Sequence, residues 1–193
     1  MVKYAVHPFI SNHITVFLCV ALVLAAANDL QFRKIPNLLS LPVIGLSILY
    51  YGWVHGLEGL IFSVSGMLMG TALLLGPYLL GGTGAGDAKL MGAVGAVLGP
   101  KGVFICFLYI AIVGGIYAGF MLFTAKSHGR AIVTNMLAQI KMLLFTRQWI
   151  PSSSDPYDES PRLCHGLAIA LGTFIYIAME RLGYSPFQGL RFF

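Results

Sequence analysis

The chain has 193 residues, of which 58% are hydrophobic and only 10% charged, with 12 Lys+Arg against 7 Asp+Glu. Soluble domains carry roughly 25% charged residues, and a globule of this length can neither hide so much apolar surface nor cover itself with so few charges. This excludes a cytosolic globule, a disordered chain and a conventional nucleic-acid binder, because the net charge of +5 comes from basic residues scattered at the ends of apolar runs.

What remains is an all-α, polytopic membrane protein whose surroundings are the lipid bilayer. Apolar runs at 14–30, 36–54, 57–80, 88–99, 102–125 and 163–182 predict a bundle of about six transmembrane helices in one integral-membrane domain covering 1–193. The first run imitates a secretory signal peptide, with Lys3 ahead of it and Ala25-Ala26-Ala27 as a cleavage-like triplet. A single basic residue makes a weak n-region, so the run reads as a retained span. The fourth run falls short of the roughly 20 residues a bilayer requires, unless it extends back through Asp87. Glycine pairs at Gly66/Gly70, Gly95/Gly99 and Gly115/Gly119 mark expected close helix crossings.

Residues 126–162 separate the fifth and sixth runs. Ile132, Val133, Met136, Leu137, Ile140, Leu143 and Leu144 form a helical stripe beside Arg130, Lys141 and Arg147, which predicts a basic amphipathic helix on the cytoplasmic surface. A Pro-, Ser- and acid-rich loop at 151–161 follows. With the N-terminus outside, the inner side holds eight basic residues: Arg33, Lys34, Lys89, Lys126, Arg130, Lys141, Arg147 and Arg162. The outer side holds four, Lys3, Lys101, Arg181 and Arg191. The positive-inside bias favours this orientation and sets Asp29 and Asp87 at the same, cytoplasmic face.

The acids are few enough to weigh one by one. Asp155, Asp158 and Glu159 lie in the polar loop as solvated charge. Glu58 opens the third run, where it suits a helix cap, and Glu180 sits beside Arg181 at an interface. Asp29 differs, because it closes a stretch from Tyr4 that is free of Lys, Arg, Asp and Glu. Asp87 differs too, since it lies where an apolar span passes into the glycine-rich Gly81-Gly-Thr-Gly-Ala-Gly-Asp87 turn. A carboxylate at the centre of a membrane helix costs about 2.5–3.5 kcal/mol on insertion scales, so such residues point to function. Two carboxyls at close range share one proton: the ionised member takes a proton from water and the protonated member hydrogen-bonds a carbonyl oxygen. The alternative is a buried acid bonded to a backbone amide or to Lys89. Small residues around Asp87 let a peptide backbone approach closely. No Walker Lys-Ser/Thr follows, so a nucleotide loop does not fit.

At these residues the chain resembles a known family. Asp29-Leu-Gln-Phe-Arg-Lys-Ile35-Pro36-Asn37 is similar to the first motif of the type IV prepilin peptidases, and Gly84-Ala-Gly86-Asp87-Ala-Lys89 to their second, the Gly-x-Gly-Asp motif of GxGD-type intramembrane aspartyl proteases. The resemblance implies that Asp29 and Asp87 are the catalytic dyad, with Gly84, Gly86, Lys89, Pro36 and Asn37 in supporting or substrate-positioning roles. It implies a prepilin or pseudopilin substrate cut at the cytoplasmic membrane surface, and neither metal nor other cofactor. Many bacterial members carry two Cys-x-x-Cys pairs and also methylate the new N-terminus. This chain has three single cysteines, Cys19, Cys106 and Cys164, and resembles instead the short, peptidase-only branch of Flp/Tad-type pilus systems, where no methyltransferase activity is expected. The stretch from Leu163 to Gly172 resembles the last span of that branch.

Other readings compete. The same two acids suit a transporter or a proton or ion relay, and the chain could equally be an assembly or anchoring protein. Ser63, Ser65 and His165 are available to a serine protease, but no Gly-x-Ser-x-Gly elbow exists. His7, His13, His55, His128 and His165 are isolated in the sequence and read as interfacial or capping residues rather than metal ligands. The pattern carries no signal for an oligomeric state.

Overall fold

The computed structural model describes residues 12–32, 37–79, 83–124 and 165–183. Its elements are the helices α1 (Asn12–Phe32), α2 (Asn37–Leu79), α3 (Ala85–Thr124) and α4 (His165–Arg181). The expected amphipathic helix and loop at 126–162 lie outside the described residues.

On α1, Ile14, Leu18, Ala21, Leu22, Ala25 and Ala26 are buried while Val16, Val20, Val23 and Leu24 are exposed. The buried set recurs every three to four residues, which is one face of a helix. Asp29 follows Ala25 by four and Ala26 by three, so it continues the inward stripe and is itself buried. The helix periodicity therefore aims this acid into the protein.

α2 and α3 each pass through a break. Gly56 has φ 61° and ψ −140°, and Gly99 has φ 71° and ψ 178°. Only glycine adopts these conformations readily. The chain folds back at both. The rings of Tyr51 and Phe62 stand 5.4 Å apart, whereas a straight helix would set these residues about 16 Å apart. A side chain built on Gly70 would meet both the Met91 carbonyl and, at 3.2 Å, Val103, a pair that a straight helix separates by about 18 Å. The breaks fall between the expected runs 36–54 and 57–80, and between 88–99 and 102–125. The fourth run does extend back through Asp87, starting at Ala85.

The turn at Gly99-Pro100 exposes two carbonyls that other helices satisfy. Pro100 has no N–H, so Ala96 O lacks its usual partner four residues on. Ser63 Oγ donates to it at 2.9 Å. The hydroxyl of Tyr51 donates to Val97 O, also at 2.9 Å. Both side chains are fully buried, so two hydrogen bonds pin the turn where no water is needed. Ser63 is thus occupied with structure.

The first half of α3 is the centre of the molecule, buried on all sides from Leu90 to Gly99. Small residues allow that enclosure. Side chains built on Gly66 and Gly95 would each collide with the other's backbone carbonyl, and one on Gly92 would meet Thr71 Oγ1 at 2.6 Å. Gly66/Gly70 on α2 therefore cross Met91–Gly95 on α3 as closely as backbones permit. Gly99 serves the turn, covered by the Phe62 ring. At the third expected crossing, Gly115 and Gly119 have nothing within 4 Å among the described residues. α4 packs on the second half of α3, where a side chain at Gly172 would strike the Ile110 backbone at 2.7 Å and Cys106 Sγ lies 3.4 Å from Thr173 Oγ1.

Among the described residues, three helices are long and apolar enough to cross a membrane: His13–Phe32, Leu38–Tyr78 and Ala85–Tyr117. This is fewer than the six expected from the apolar runs, since α2 and α3 each continue through their break as one element and α4 has 17 residues.

Candidate active site

Asp87 is in the first turn of α3. Gly84 precedes the helix as its cap, and its N–H donates to Asp87 Oδ2 at 2.9 Å. The Asp87 N–H donates back to Gly84 O at 3.1 Å. This is one arm of a capping box, in which the third helical residue satisfies the backbone amide of the cap. The negative charge also suits the positive end of the α3 dipole. The glycine-rich segment thus fixes the side chain it introduces. Just ahead of it, Thr83 Oγ1 is buried with no hydrogen-bond partner among the described residues.

Asp29 is held by a different helix. Its Oδ2 accepts a 2.9 Å hydrogen bond from the N–H of Gly166, in the first turn of α4. First-turn amides have no partner inside their own helix and favour an anion. The contact places the C-terminal end of α1 against the N-terminal end of α4. Arg181, in the last turn of α4, acts electrostatically on Cys19 in the N-terminal half of α1, so the two run antiparallel.

The two acids lie within electrostatic reach of each other. Each is 8% exposed, and both Asp29 and His165 lie near enough for their charges to act on Asp87. Residues from α1, α3 and the head of α4 therefore converge at one buried spot. Each carboxylate has Oδ2 tied to a glycine amide, and among the described residues neither Oδ1 is engaged. Each acid thus has one fixed oxygen and one that is not engaged among the described residues, in a place where each feels the other's charge.

The supporting residues sort out as follows. Gly84 caps α3. Gly86 is half-buried in its first turn, and Lys89 is exposed on the same helix next to buried Ala88. Asn37 begins α2. Pro36 lies outside the described residues, as does Cys164. Two further residues stand at this spot: Gly166, which sequence reasoning passed over and which binds Asp29, and His165, which was read as interfacial or capping and lies near Asp87. The available signal was the Cys-His-Gly stretch at the start of the last apolar run.

These features define an α-helical membrane protein with two buried acids, within electrostatic reach of each other, near the ends of its helices. The model of the type IV leader peptidase family matches residues 16–119, more than half of the chain, including α2 and both acids. The chain belongs to that family. It is also 28% identical over 108 residues to the prepilin leader peptidase/N-methyltransferase of Bacillus subtilis (strain 168), a match covering 54% of this chain and 43% of that protein. The chain therefore aligns with less than half the length of this curated relative. No solved structure matches the chain significantly.

Proposed function

We propose that this protein is an intramembrane aspartic endopeptidase that removes the short basic leader of prepilin- or pseudopilin-like substrates, with Asp29 and Asp87 as its dyad. The observation that carries this reading is the convergence of the two acids from α1 and α3, within electrostatic reach and each with one oxygen tied to a backbone amide. Capping alone accounts poorly for it, since two caps gain nothing from mutual repulsion in a buried place. In the cycle, the ionised acid accepts a proton from water as the hydroxide adds to the scissile carbonyl carbon. The other acid donates its proton to the carbonyl oxygen. Collapse of the tetrahedral diol breaks the C–N bond as the leaving nitrogen takes a proton from the first acid. The second recovers its proton from the diol hydroxyl, so the dyad ends as it began.

The backbone folds back at Gly56 and Gly99, which supports counting six membrane passages rather than three. The positive-inside bias supports a site facing the cytoplasm at the cell (inner or cytoplasmic) membrane, with the N-terminus outside. Lys89 stands two residues beyond Asp87, placed to meet the substrate electrostatically, and Thr83 Oγ1 offers a hydroxyl to substrate or water. Pro36 and Asn37 set the entry into α2. The action is peptide cleavage alone, without methyl transfer.

The test is incubation of the purified protein with candidate prepilins, followed by mass analysis of the new N-terminus. A leader-less pilin with an unmethylated amine is expected, and it disappears in Asp29→Asn and Asp87→Asn. Proton or ion flux in liposomes without peptide cleavage would overturn the reading in favour of a relay.

A further inference from the structure

Gly166 lies on the last described helix, beyond the stretch that the family model matches. We propose that it is a positioning residue of the acid pair. Its amide, presented by the first turn of α4 where a side chain would crowd Asp29, fixes one Asp29 oxygen and so orients the carboxylate. The proposal rests on Asp29 and Asp87 being the catalytic dyad.

Three observations lead to it. First, Asp29 sits in the last turn of α1, where helices fray and local structure restrains a side chain least. The 2.9 Å bond from Gly166 supplies the missing restraint from outside. A bond from a first-turn amide to a carboxylate is charge-assisted and stronger than a neutral one. Second, the space at Gly166 belongs to Asp29. A Cβ built there would lie 2.9 Å from Asp29 Oδ2, 3.1 Å from its Cγ and 3.1 Å from its Cβ, and these are its three nearest atoms. Any larger residue presses on the carboxylate itself. Third, Gly84 treats Asp87 in the same way, with a glycine amide 2.9 Å from Oδ2. The two acids thus have matching anchors on different helices. The turn that holds Asp29 also brings His165 near Asp87, so the register of α4 reaches both acids. Geometry matters here because a misplacement of about 1 Å at a reacting group costs on the order of 100-fold in rate.

The experiment compares the full-length wild type with Gly166→Ala, using a cleavable prepilin for kinetics and thermal unfolding for stability. Positioning predicts that kcat falls about 10- to 100-fold while KM stays within about twofold. A residue that only packs would lower Tm and leave kcat and KM unchanged, and one that only binds substrate would raise KM and keep kcat. The stability arm needs no catalysis. Gly166→Ala lowers Tm in the wild type, and lowers it less in Asp29→Ala, because the crowded carboxyl is gone. An equal Tm loss in both backgrounds would overturn the proposal. Where Gly166→Ala fails to fold, folding of the Asp29→Ala/Gly166→Ala double variant supports it, and failure of both variants overturns it. Cleavage that survives Asp29→Asn would sink the dyad, whereas cleavage lost in Asp29→Asn but untouched in Gly166→Ala would sink only the positioning role.

Discussion

The carboxylate of Asp29 and the amide of Gly166 are 137 positions apart in the chain and joined by a 2.9 Å hydrogen bond in the fold. The bond closes α4 onto α1 and gives a buried acid one fixed oxygen. It also determines what a conservative replacement does. The side-chain oxygen of asparagine accepts the same amide bond, so Asp29→Asn keeps the contact and removes only the ionisable group. The same holds for Asp87→Asn and the Gly84 amide. Both variants are expected to insert and fold with Tm close to wild type while losing cleavage by about 10²–10⁴-fold, the usual contribution of a general acid or base. A parallel loss of Tm and cleavage would assign these acids to structure instead.

A dyad that works with one shared proton fails at both ends of the pH range. When both acids are protonated, no base activates water; when both are ionised, no acid assists the carbonyl. Cleavage by the purified protein should give a bell-shaped profile. The titratable groups at this spot among the described residues are Asp29, Asp87 and His165. A charged imidazole favours the ionised form of its acidic neighbour, so His165→Gln, which removes it, should move the acid limb towards higher pH. A profile unchanged by His165→Gln would show that the imidazole has no electrostatic part in the reaction.

The sequence pattern exposed some of this and concealed the rest, for physical reasons. Runs of apolar residues broken by His55-Gly56 and by Gly99-Pro100-Lys101 placed both chain reversals, since hydropathy and backbone permissiveness change together there. Asp29 and Asp87 stood out because charge is scarce in this chain. Glycine crossings were visible in kind but not in pairing: with 23 glycines, nothing in the spacing distinguishes Gly95, which meets Gly66, from Gly115, which meets nothing among the described residues. Gly166 was illegible for a different reason. Its contribution is a backbone amide and an absent side chain, and neither leaves a residue type that announces a distant partner. His165 looked isolated because sequence separation says nothing about which helix ends converge.

That difference between glycines is testable. At Gly95 a methyl group would be driven into the Gly66 carbonyl, a backbone atom that no rotamer change can move. Overpacking of this kind costs about 1–3 kcal/mol even in cores that can adjust, and the buried first half of α3 has little room to do so. Gly95→Ala should lower Tm or abolish accumulation of the folded protein. Gly115→Ala and Gly119→Ala meet nothing within 4 Å among the described residues and should be neutral or stabilising by up to about 1 kcal/mol, since alanine loses less entropy in a helix. Equal responses at the three positions, measured by thermal unfolding in detergent, would contradict the crossing.

The turn at Gly99-Pro100 offers a last, independent check on the scaffold. Ala96 O has lost its intrahelical donor to Pro100 and depends on Ser63 Oγ. Ser63→Ala therefore leaves a buried carbonyl unsatisfied. Side-chain hydrogen bonds inside membrane proteins average only about 0.6 kcal/mol, because the unfolded state in lipid finds other partners. An orphaned buried carbonyl costs about 1–3 kcal/mol. The second figure should govern here, since the proline leaves no alternative donor in its own helix. Tyr51→Phe removes the matching bond to Val97 O but keeps the ring against Phe62, and a smaller loss is expected. Both variants should retain wild-type KM, because this turn stands at the end of the Ala85–Leu98 segment away from Asp87, some 20 Å along a helix at 1.5 Å per residue. A KM change in either variant, with Tm intact, would show that the turn communicates with the site.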